Sequence, residues 1–96
     1  MTEASISQQG DIHQLTGQLD FSSVARLLTA NGWLQGDQVQ IDMSHVEQSN
    51  SAGLALLLEW MKIAQQKGLQ IKYHNVPEQL LVIARAYGVD QDLPII

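Results

Sequence analysis

The stretch from Val46 to Gly68, VEQSNSAGLALLLEWMKIAQQKG, decides the fold, because small polar residues run directly into a leucine-rich segment. Asn50 or Ser51 can accept hydrogen bonds from a first helical turn, and Gly68 supplies a left-handed stop. The spacing predicts a helix over 51–67 whose apolar residues form one stripe against a sheet. That stripe consists of Leu54, Leu57, Leu58, Met61 and Ala64.

A second apolar stripe, formed by Leu56, Trp60 and Ile63, adjoins the first on the same helix. The two stripes together make an arc wider than one sheet face needs. Two interpretations are open at this point. Either a neighbouring helix of the same small domain covers the extra stripe, or the stripe is a docking face for another protein, with Trp60 as its anchor.

The polar start of the helix contains more capping residues than a helix needs, since one acceptor among 49–51 is enough. Gly53 lowers the helix propensity of the first turn and adds no side chain that would shield the caps, which predicts an exposed hydroxyl at the positive helix end. Such a hydroxyl can be phosphorylated or can bind a partner. The residues predicted to bind a partner are Ser49, Asn50, Ser51, Gly53, Leu56, Trp60 and Ile63.

The N-terminal part of the chain predicts two strands followed by a helix. Residues 4–8 and 12–17 alternate as short strands and are joined by a turn at Gly10 and Asp11, which indicates a hairpin. Apolar residues recur at helical spacing over 21–30, between capping residues and an Asn-Gly stop.

The remaining segments complete an α/β fold. Residues 39–43 alternate as a strand that we expect to end near Ser44, and 69–74 alternate as another strand. A last helix is predicted over 77–88, with Pro77 as its first residue. The order ββαβαβα predicts a mixed four-stranded sheet with an N-terminal hairpin and helices packed against it.

Length, composition and charge limit the classes of function. The 96 residues suit one domain over 1–96, with 45% of the residues hydrophobic and only 16% charged. The net charge is −5 and no basic run is present, which disfavours binding to nucleic acids or to anionic membrane surfaces. A protein partner is the better expectation.

The location of the protein is predicted from what the sequence lacks. It contains no cysteine, so disulfides and thiolate metal sites are excluded. The first ten residues have neither the basic stretch nor the apolar core of a signal peptide, and no apolar run approaches the roughly 18 residues of a membrane span. We expect a cytoplasmic protein that reaches a membrane only through another protein.

Asp42, His45 and Ser51 are of the residue types that form an acid, a base and a nucleophile, but no pattern supports a catalytic geometry. The chain contains neither the Gly-x-Ser-x-Gly elbow of hydrolases nor a phosphate-binding loop of the Walker A type. His13, His45 and His74 are scattered without the ligand spacing of a metal site. We therefore expect no enzyme activity, no cofactor and no metal.

Residues 41–54, IDMSHVEQSNSAGL, resemble the signature of the STAS domain family, in which a strand ending in Asp, an apolar residue and Ser leads to an Asp-Ser/Thr-x-Gly-Leu helix start. The order of strands and helices is similar to the STAS order over nearly the whole chain. The resemblance implies that Ser51 occupies the position phosphorylated in anti-sigma-factor antagonists. Asn50 stands where the family usually has Asp, and its neutral amide disfavours phosphorylation by a switch kinase.

Within the family, the GLALLL helix, the KG stop and the IARAYGV ending are similar to the small cytoplasmic subunit of phospholipid-transporting ABC complexes of Gram-negative bacteria. That likeness implies a non-catalytic subunit that binds the ATPase subunit and, through it, the membrane permease. The complex would maintain the lipid asymmetry of the outer membrane. The alternative is an anti-sigma-factor antagonist regulated by phosphorylation of Ser51.

Overall fold

The computed structural model describes residues 3–96 and confirms the mixed four-stranded sheet with its N-terminal hairpin and packed helices. The elements follow the predicted order, with a short 3-10 helix added at Asp90–Asp92. Their bounds are β1 Ser5–Gln9, β2 Ile12–Leu19, α1 Phe21–Thr29, β3 Gln38–Ser49, α2 Ser51–Lys67, β4 Gln70–His74 and α3 Glu78–Ala86.

The sheet has the strand order β1-β2-β3-β4. β1 and β2 are antiparallel around the predicted turn at Gly10 and Asp11, whereas β2, β3 and β4 run parallel. Alternate side chains such as Leu15, Leu19 and Ile41 are buried on the face against which the helices pack. Polar side chains occupy the opposite face, so the sheet follows the two-residue period of a half-buried sheet.

β3 continues to Ser49, past the end predicted near Ser44. Its register against β2 shifts twice, and at each shift β3 contributes one residue more than β2. After Met43 the inward positions therefore fall at Val46 and Ser49 instead of at every second residue. Bulges of this kind keep a strand paired while breaking its alternation, which is why the sequence pattern indicated an early end.

α2 spans Ser51–Lys67, as predicted, between the side-chain cap of Asn50 and the left-handed Gly68 at φ 72°. The hydroxyl of Tyr73 donates a hydrogen bond of 2.6 Å to the carbonyl oxygen of Leu57, which ties β4 to the middle of α2. Burial raises the pKa of Tyr73, so the hydroxyl remains a donor. Neither α2 nor any other helix within residues 3–96 combines the length and apolarity needed to cross a membrane.

The first apolar stripe of α2 is only partly in the core. Leu54, Leu57 and Ala64 are buried between the helices and the sheet. Leu58 and Met61, which were predicted to be core residues too, are partly exposed and pack at the margin of the core. This side of α2 is therefore open to contact with another molecule.

The second stripe is covered from within the chain, so the prediction that Leu56 and Trp60 form an exposed docking face is wrong. Both side chains are 0% exposed, and Ile63 is partly buried. Trp33, in the loop between α1 and β3, packs edge-on against Trp60 with ring centroids 5.1 Å apart. The ring of His13 also packs against Trp33, with ring centroids 4.8 Å apart. This loop and α1 together cover the stripe.

The C-terminal part differs from the prediction at both ends of α3. Pro77 is the residue before the helix and not its first residue, and the helix ends earlier than predicted, at Ala86. The segment that follows returns along β4. The Tyr73 N–H donates to the carbonyl of Pro94, and the Ile96 N–H donates to the carbonyl of Tyr73, each at 2.9 Å.

Candidate protein-docking site

The N-terminus of α2 presents two of the predicted polar residues to solvent. Asn50 is the helix cap, and its side-chain oxygen accepts a hydrogen bond of 2.8 Å from the backbone N–H of Ala52. Ser51 is the first helical residue and is exposed. Because Asn50 provides the cap, the Ser51 hydroxyl is not needed for it and can contact a partner.

Ser49 and Gly53, two residues predicted to bind a partner, are buried instead. Ser49 is 4% exposed, and its backbone N–H donates to the side-chain oxygen of Gln79 at 3.1 Å. A Cβ atom on Gly53 would lie 2.0 Å from Ser49 Oγ and 3.3 Å from Leu19 Cδ1. Gly53 therefore allows α2 to approach the end of β3, and neither residue contributes to an exposed surface.

This close approach predicts that Gly53→Ala destabilises the fold by about 1–3 kcal/mol, because Ser49 must move to admit the methyl group. Adding Ser49→Ala removes the 2.0 Å overlap and should recover part of the loss. Urea unfolding of the two single variants and the double variant measures the coupling. Strictly additive losses would show that the two side chains do not compete for the same space.

A shallow apolar hollow of about 450 Å³ lies beside Ser51, between the start of α1 and the end of α3. Phe21 is 70% exposed and Tyr87 is 68% exposed, the two highest values among the large hydrophobic side chains of residues 3–96. Aromatic side chains around a polar group are typical of protein-binding surfaces. We name this hollow the docking surface, and its residues are Phe21, Ser51, Leu54, Ala55, Leu58, Tyr87 and Val89.

Sequence reasoning did not find Phe21 and Tyr87, the two most exposed residues among the large hydrophobic side chains of the docking surface. Phe21 begins α1, directly after the cap residue Asp20, and Tyr87 directly follows α3. A large aromatic residue at a helix terminus has no further turn on one side to cover it. That position is the signal in the sequence from which both residues could have been predicted.

The predicted partner-binding set is therefore divided by the structure. Asn50 and Ser51 are exposed at the helix start, and Ser51 lies in the docking surface. Ile63 is partly buried and lies outside the docking surface. The other predicted residues are buried: Ser49, Gly53, Leu56 and Trp60.

Asp42 connects β2, β3 and the loop after β4 on the polar face of the sheet. Its carboxylate accepts hydrogen bonds from Asn75 Nδ2 at 2.8 Å, from Ser44 Oγ at 2.8 Å and from the Ser44 N–H at 3.1 Å. A longer contact of 3.5 Å comes from Gln14. Burial alone would raise the pKa of Asp42, but these hydrogen bonds outweigh it and lower the pKa to about 2.

The Asp42 network predicts a loss of stability in acid. Since its pKa falls from 3.8 to about 2 on folding, the carboxylate stabilises the fold above about pH 4 and loses that effect as the pH falls toward 2. The stability advantage of wild type over Asp42→Asn should shrink by about 1 kcal/mol between about pH 5 and about pH 2.5, after allowance for solvent screening. Urea unfolding of both proteins across this pH range measures the difference in their unfolding free energies. A difference that stays constant with pH would contradict the prediction.

Within residues 3–96 the structure does not bring the candidate acid, base and nucleophile together as a catalytic set. These candidates are Asp42, His45 and Ser51. His45 Nδ1 lies 2.9 Å from Gln14 Nε2 and 3.1 Å from Ser44 Oγ, and has no hydrogen bond to Asp42. Ser51 lies in the docking surface and is not bonded to His45. No three His, Cys, Asp or Glu side chains within residues 3–96 are grouped so that they could hold a metal ion.

Comparison with known proteins establishes the family. The sequence profile described as MlaB, STAS domain matches residues 3–96. The chain belongs to the STAS domain family. Relatives of this STAS domain include the intermembrane phospholipid transport system binding protein MlaB of Escherichia coli K12 and that of Shigella flexneri. Each is 28% identical over 86 residues, which cover 90% of this chain and 89% of the relative.

Solved structures with lower sequence identity have the same fold. The unphosphorylated anti-sigma factor antagonist SpoIIAA matches with a TM-score of 0.73 at 12% identity, over 97% of this STAS domain and 85% of that chain. A STAS domain protein from Planctomyces limnophilus matches with a TM-score of 0.71 at 17% identity, over 100% and 90% of the two chains. At such identities these structures establish the fold alone.

Proposed function

We propose that this STAS domain is a non-catalytic subunit of a phospholipid-transporting ABC complex, in which it binds the ATPase subunit and supports assembly and activity. The similarity to two MlaB proteins of an intermembrane phospholipid transport system supports the choice of system. The docking surface provides a contact of suitable chemistry. Through the ATPase, the domain lies on the cytoplasmic side of the inner membrane, next to the permease.

The observation that carries the proposal is the position of Phe21 and Tyr87 on either side of the α2 N-terminus. Both aromatic side chains are mostly exposed, and Ser51 lies in the same hollow. A partner that covers them gains about 1.5–3 kcal/mol for each ring that it fully buries. The Ser51 hydroxyl then supplies a polar contact that fixes the orientation of the partner.

The proposed role needs binding and no chemistry. The Ser51 hydroxyl has no neighbouring base within the described residues, and the Asp42 carboxylate is occupied by structural hydrogen bonds. A nucleophile needs an adjacent base or a lowered pKa to react. The ATPase subunit therefore supplies the energy of the complex, and the STAS domain contributes a surface.

Charge at Ser51 tests the contact without disturbing the fold. Ser51→Asp leaves Asn50 as the cap and places a negative charge at the positive end of α2, so the melting temperature should hold or rise slightly. Against a desolvated apolar partner, the unpaired carboxylate should cost at least about 2 kcal/mol, which is about a 30-fold loss of affinity. Isothermal titration of the ATPase subunit with each variant measures the loss.

Ser7→Asp is the matched control, because Ser7 is exposed on the edge strand β1 and does not line the docking surface. It adds the same charge and should leave the affinity within about a factor of two. Absence of wild-type binding to the ATPase would refute the proposed function. Equal affinities for Ser51→Asp and Ser7→Asp would place the contact elsewhere on the domain.

The alternative function is an anti-sigma-factor antagonist switched by phosphorylation, and the exposure of Ser51 favours it. Asn50 weighs against it, since a neutral amide stands where the resemblance leads us to expect Asp. The two functions differ in one measurement. The protein is incubated with ATP and the serine kinase of the same organism, and its intact mass is measured. We expect no added phosphate. A phosphate that is added to wild type but not to Ser51→Ala would favour the alternative.

A further inference from the structure

A second groove, of about 750 Å³, runs between the C-terminal half of α2 and the outer edge of β4. Its apolar lining includes Leu58, Met61 and Ile71. Leu58 also lines the docking surface, so the two depressions are adjacent on α2. We name this second depression the edge groove.

The edge groove is lined by a part of β4, around Ile71, that has no neighbouring strand on its outer side. Both backbone groups of Tyr73 bond to the C-terminal segment on the outer side, through the Pro94 carbonyl and the Ile96 N–H. Backbone groups alternate sides along a strand, so those of Ile71 point outward as well. Within residues 3–96 no segment pairs with Ile71 there. The unpaired stretch of the β4 edge therefore lies before Tyr73, the residue at which the C-terminal segment joins β4.

The charge of the edge groove is opposite to that of the chain as a whole. Arg26 and Arg85 form ion pairs with glutamates, and Lys67 donates to a backbone carbonyl. Lys62 and Lys72 have no such partner among the described residues, and both line the edge groove. Although one acidic residue, Asp92, also lines it, the lining carries a net positive charge in a chain of net charge −5.

We propose that the edge groove binds a short extended segment of a partner protein that has apolar residues and at least one carboxylate. The segment adds to the free edge at Ile71 and places apolar side chains against Leu58 and Met61, which is the β-augmentation mode of peptide recognition. Its carboxylate pairs with Lys62 or Lys72. This site lies next to the docking surface and does not depend on the identity of the partner bound there.

The free backbone at Ile71 favours a peptide over a lipid as the occupant. An acyl chain with an acidic head group would satisfy the lysines and the apolar lining, but it has no series of N–H and C=O groups to pair with the strand edge. An extended peptide satisfies the lining, the lysines and the backbone edge together. At about 3.3 Å per residue, some three residues fill the edge between the C-terminal segment and the start of β4.

The test uses two synthetic peptides that differ only in charge, acetyl-Glu-Val-Leu-Val-Glu-amide and acetyl-Lys-Val-Leu-Val-Lys-amide. Each is titrated into the ¹⁵N-labelled full chain while amide resonances are followed by NMR. The acidic peptide should shift the resonance of Ile71 with a dissociation constant of about 1 mM or tighter, a typical weak affinity. The basic peptide should bind at least about fivefold more weakly.

Two variants distinguish binding of the peptide in the edge groove from an effect of the net charge of the protein. Lys72→Glu should weaken binding of the acidic peptide by about tenfold. Lys67→Glu changes the net charge by the same amount outside the groove, and should leave the affinity for the acidic peptide within about twofold of that of wild type. Equal binding of both peptides, equal effects of the two variants or no shift at Ile71 would overturn the proposal. If dodecanoate shifts the Ile71 resonance and neither peptide does, the groove binds a lipid, and the proposal is overturned as well.

Discussion

Replacing Trp60 by alanine should destabilise the fold by about 3–5 kcal/mol, the range expected for removing a large aromatic side chain from a packed core. Trp60 is fully buried and its ring packs edge-on against Trp33. Its indole nitrogen has no hydrogen-bond partner within residues 3–96, so the loss comes from packing and burial of apolar surface. For a domain of this size, about 3–5 kcal/mol is a large fraction of the total stability.

Urea unfolding measures this loss, with Val82→Ala as the control. Val82 lies in α3 and is 53% exposed, so its truncation should change the unfolding free energy by no more than about 0.5 kcal/mol. Similar midpoints for the two variants would mean that Trp60 is not a core residue. The result also affects binding experiments, because any weaker binding of Trp60→Ala would reflect loss of the folded domain.

Truncating Tyr87 to alanine should weaken binding of the ATPase subunit by about 2–4 kcal/mol, which is roughly 30-fold to 1,000-fold in affinity. Tyr87 is the aromatic residue of the docking surface at the end of α3, and it is 68% exposed. A ring that becomes fully buried at the centre of an interface is the usual kind of binding hot spot. The melting temperature should change little, since an exposed ring contributes little to folding.

Val82→Ala again serves as the control, because Val82 is exposed on α3, the helix that Tyr87 follows, but does not line the docking surface. It should leave the affinity for the ATPase within about twofold. If wild type binds the ATPase subunit and Tyr87→Ala binds it with equal affinity, Tyr87 is not part of the interface. An equal loss in both variants would indicate that the whole of α3 contributes.

The central helix could be predicted from the sequence because all of its signals agree. Asn50 caps its start, Gly68 ends it in the left-handed conformation, and the apolar spacing between them is helical. The end of β3 could not be predicted in the same way. Its two bulges depend on pairing with β2, which is distant in sequence, and a bulge removes the alternation by which a strand is recognised.

The candidate site shows a second limit of sequence patterns. The helical period places Trp60 on an outer stripe of α2, but it does not show that Trp33, in the distant loop before β3, covers that stripe. The same period does not show that Phe21 and Tyr87, at the ends of two other helices, meet beside Ser51. Spacing gives the face of a single helix, whereas exposure depends on the tertiary neighbours of that face.

The central claim is that the docking surface around Ser51 touches the ATPase subunit, and site-specific photocrosslinking tests it most directly. Benzoylphenylalanine is placed at Tyr87, with the exposed position Val82 as the comparison, and the assembled complex is irradiated and analysed by mass spectrometry. We predict a crosslink from position 87 to the ATPase subunit, in much higher yield than from position 82. A crosslink to the ATPase from position 82 and none from position 87 would contradict the account.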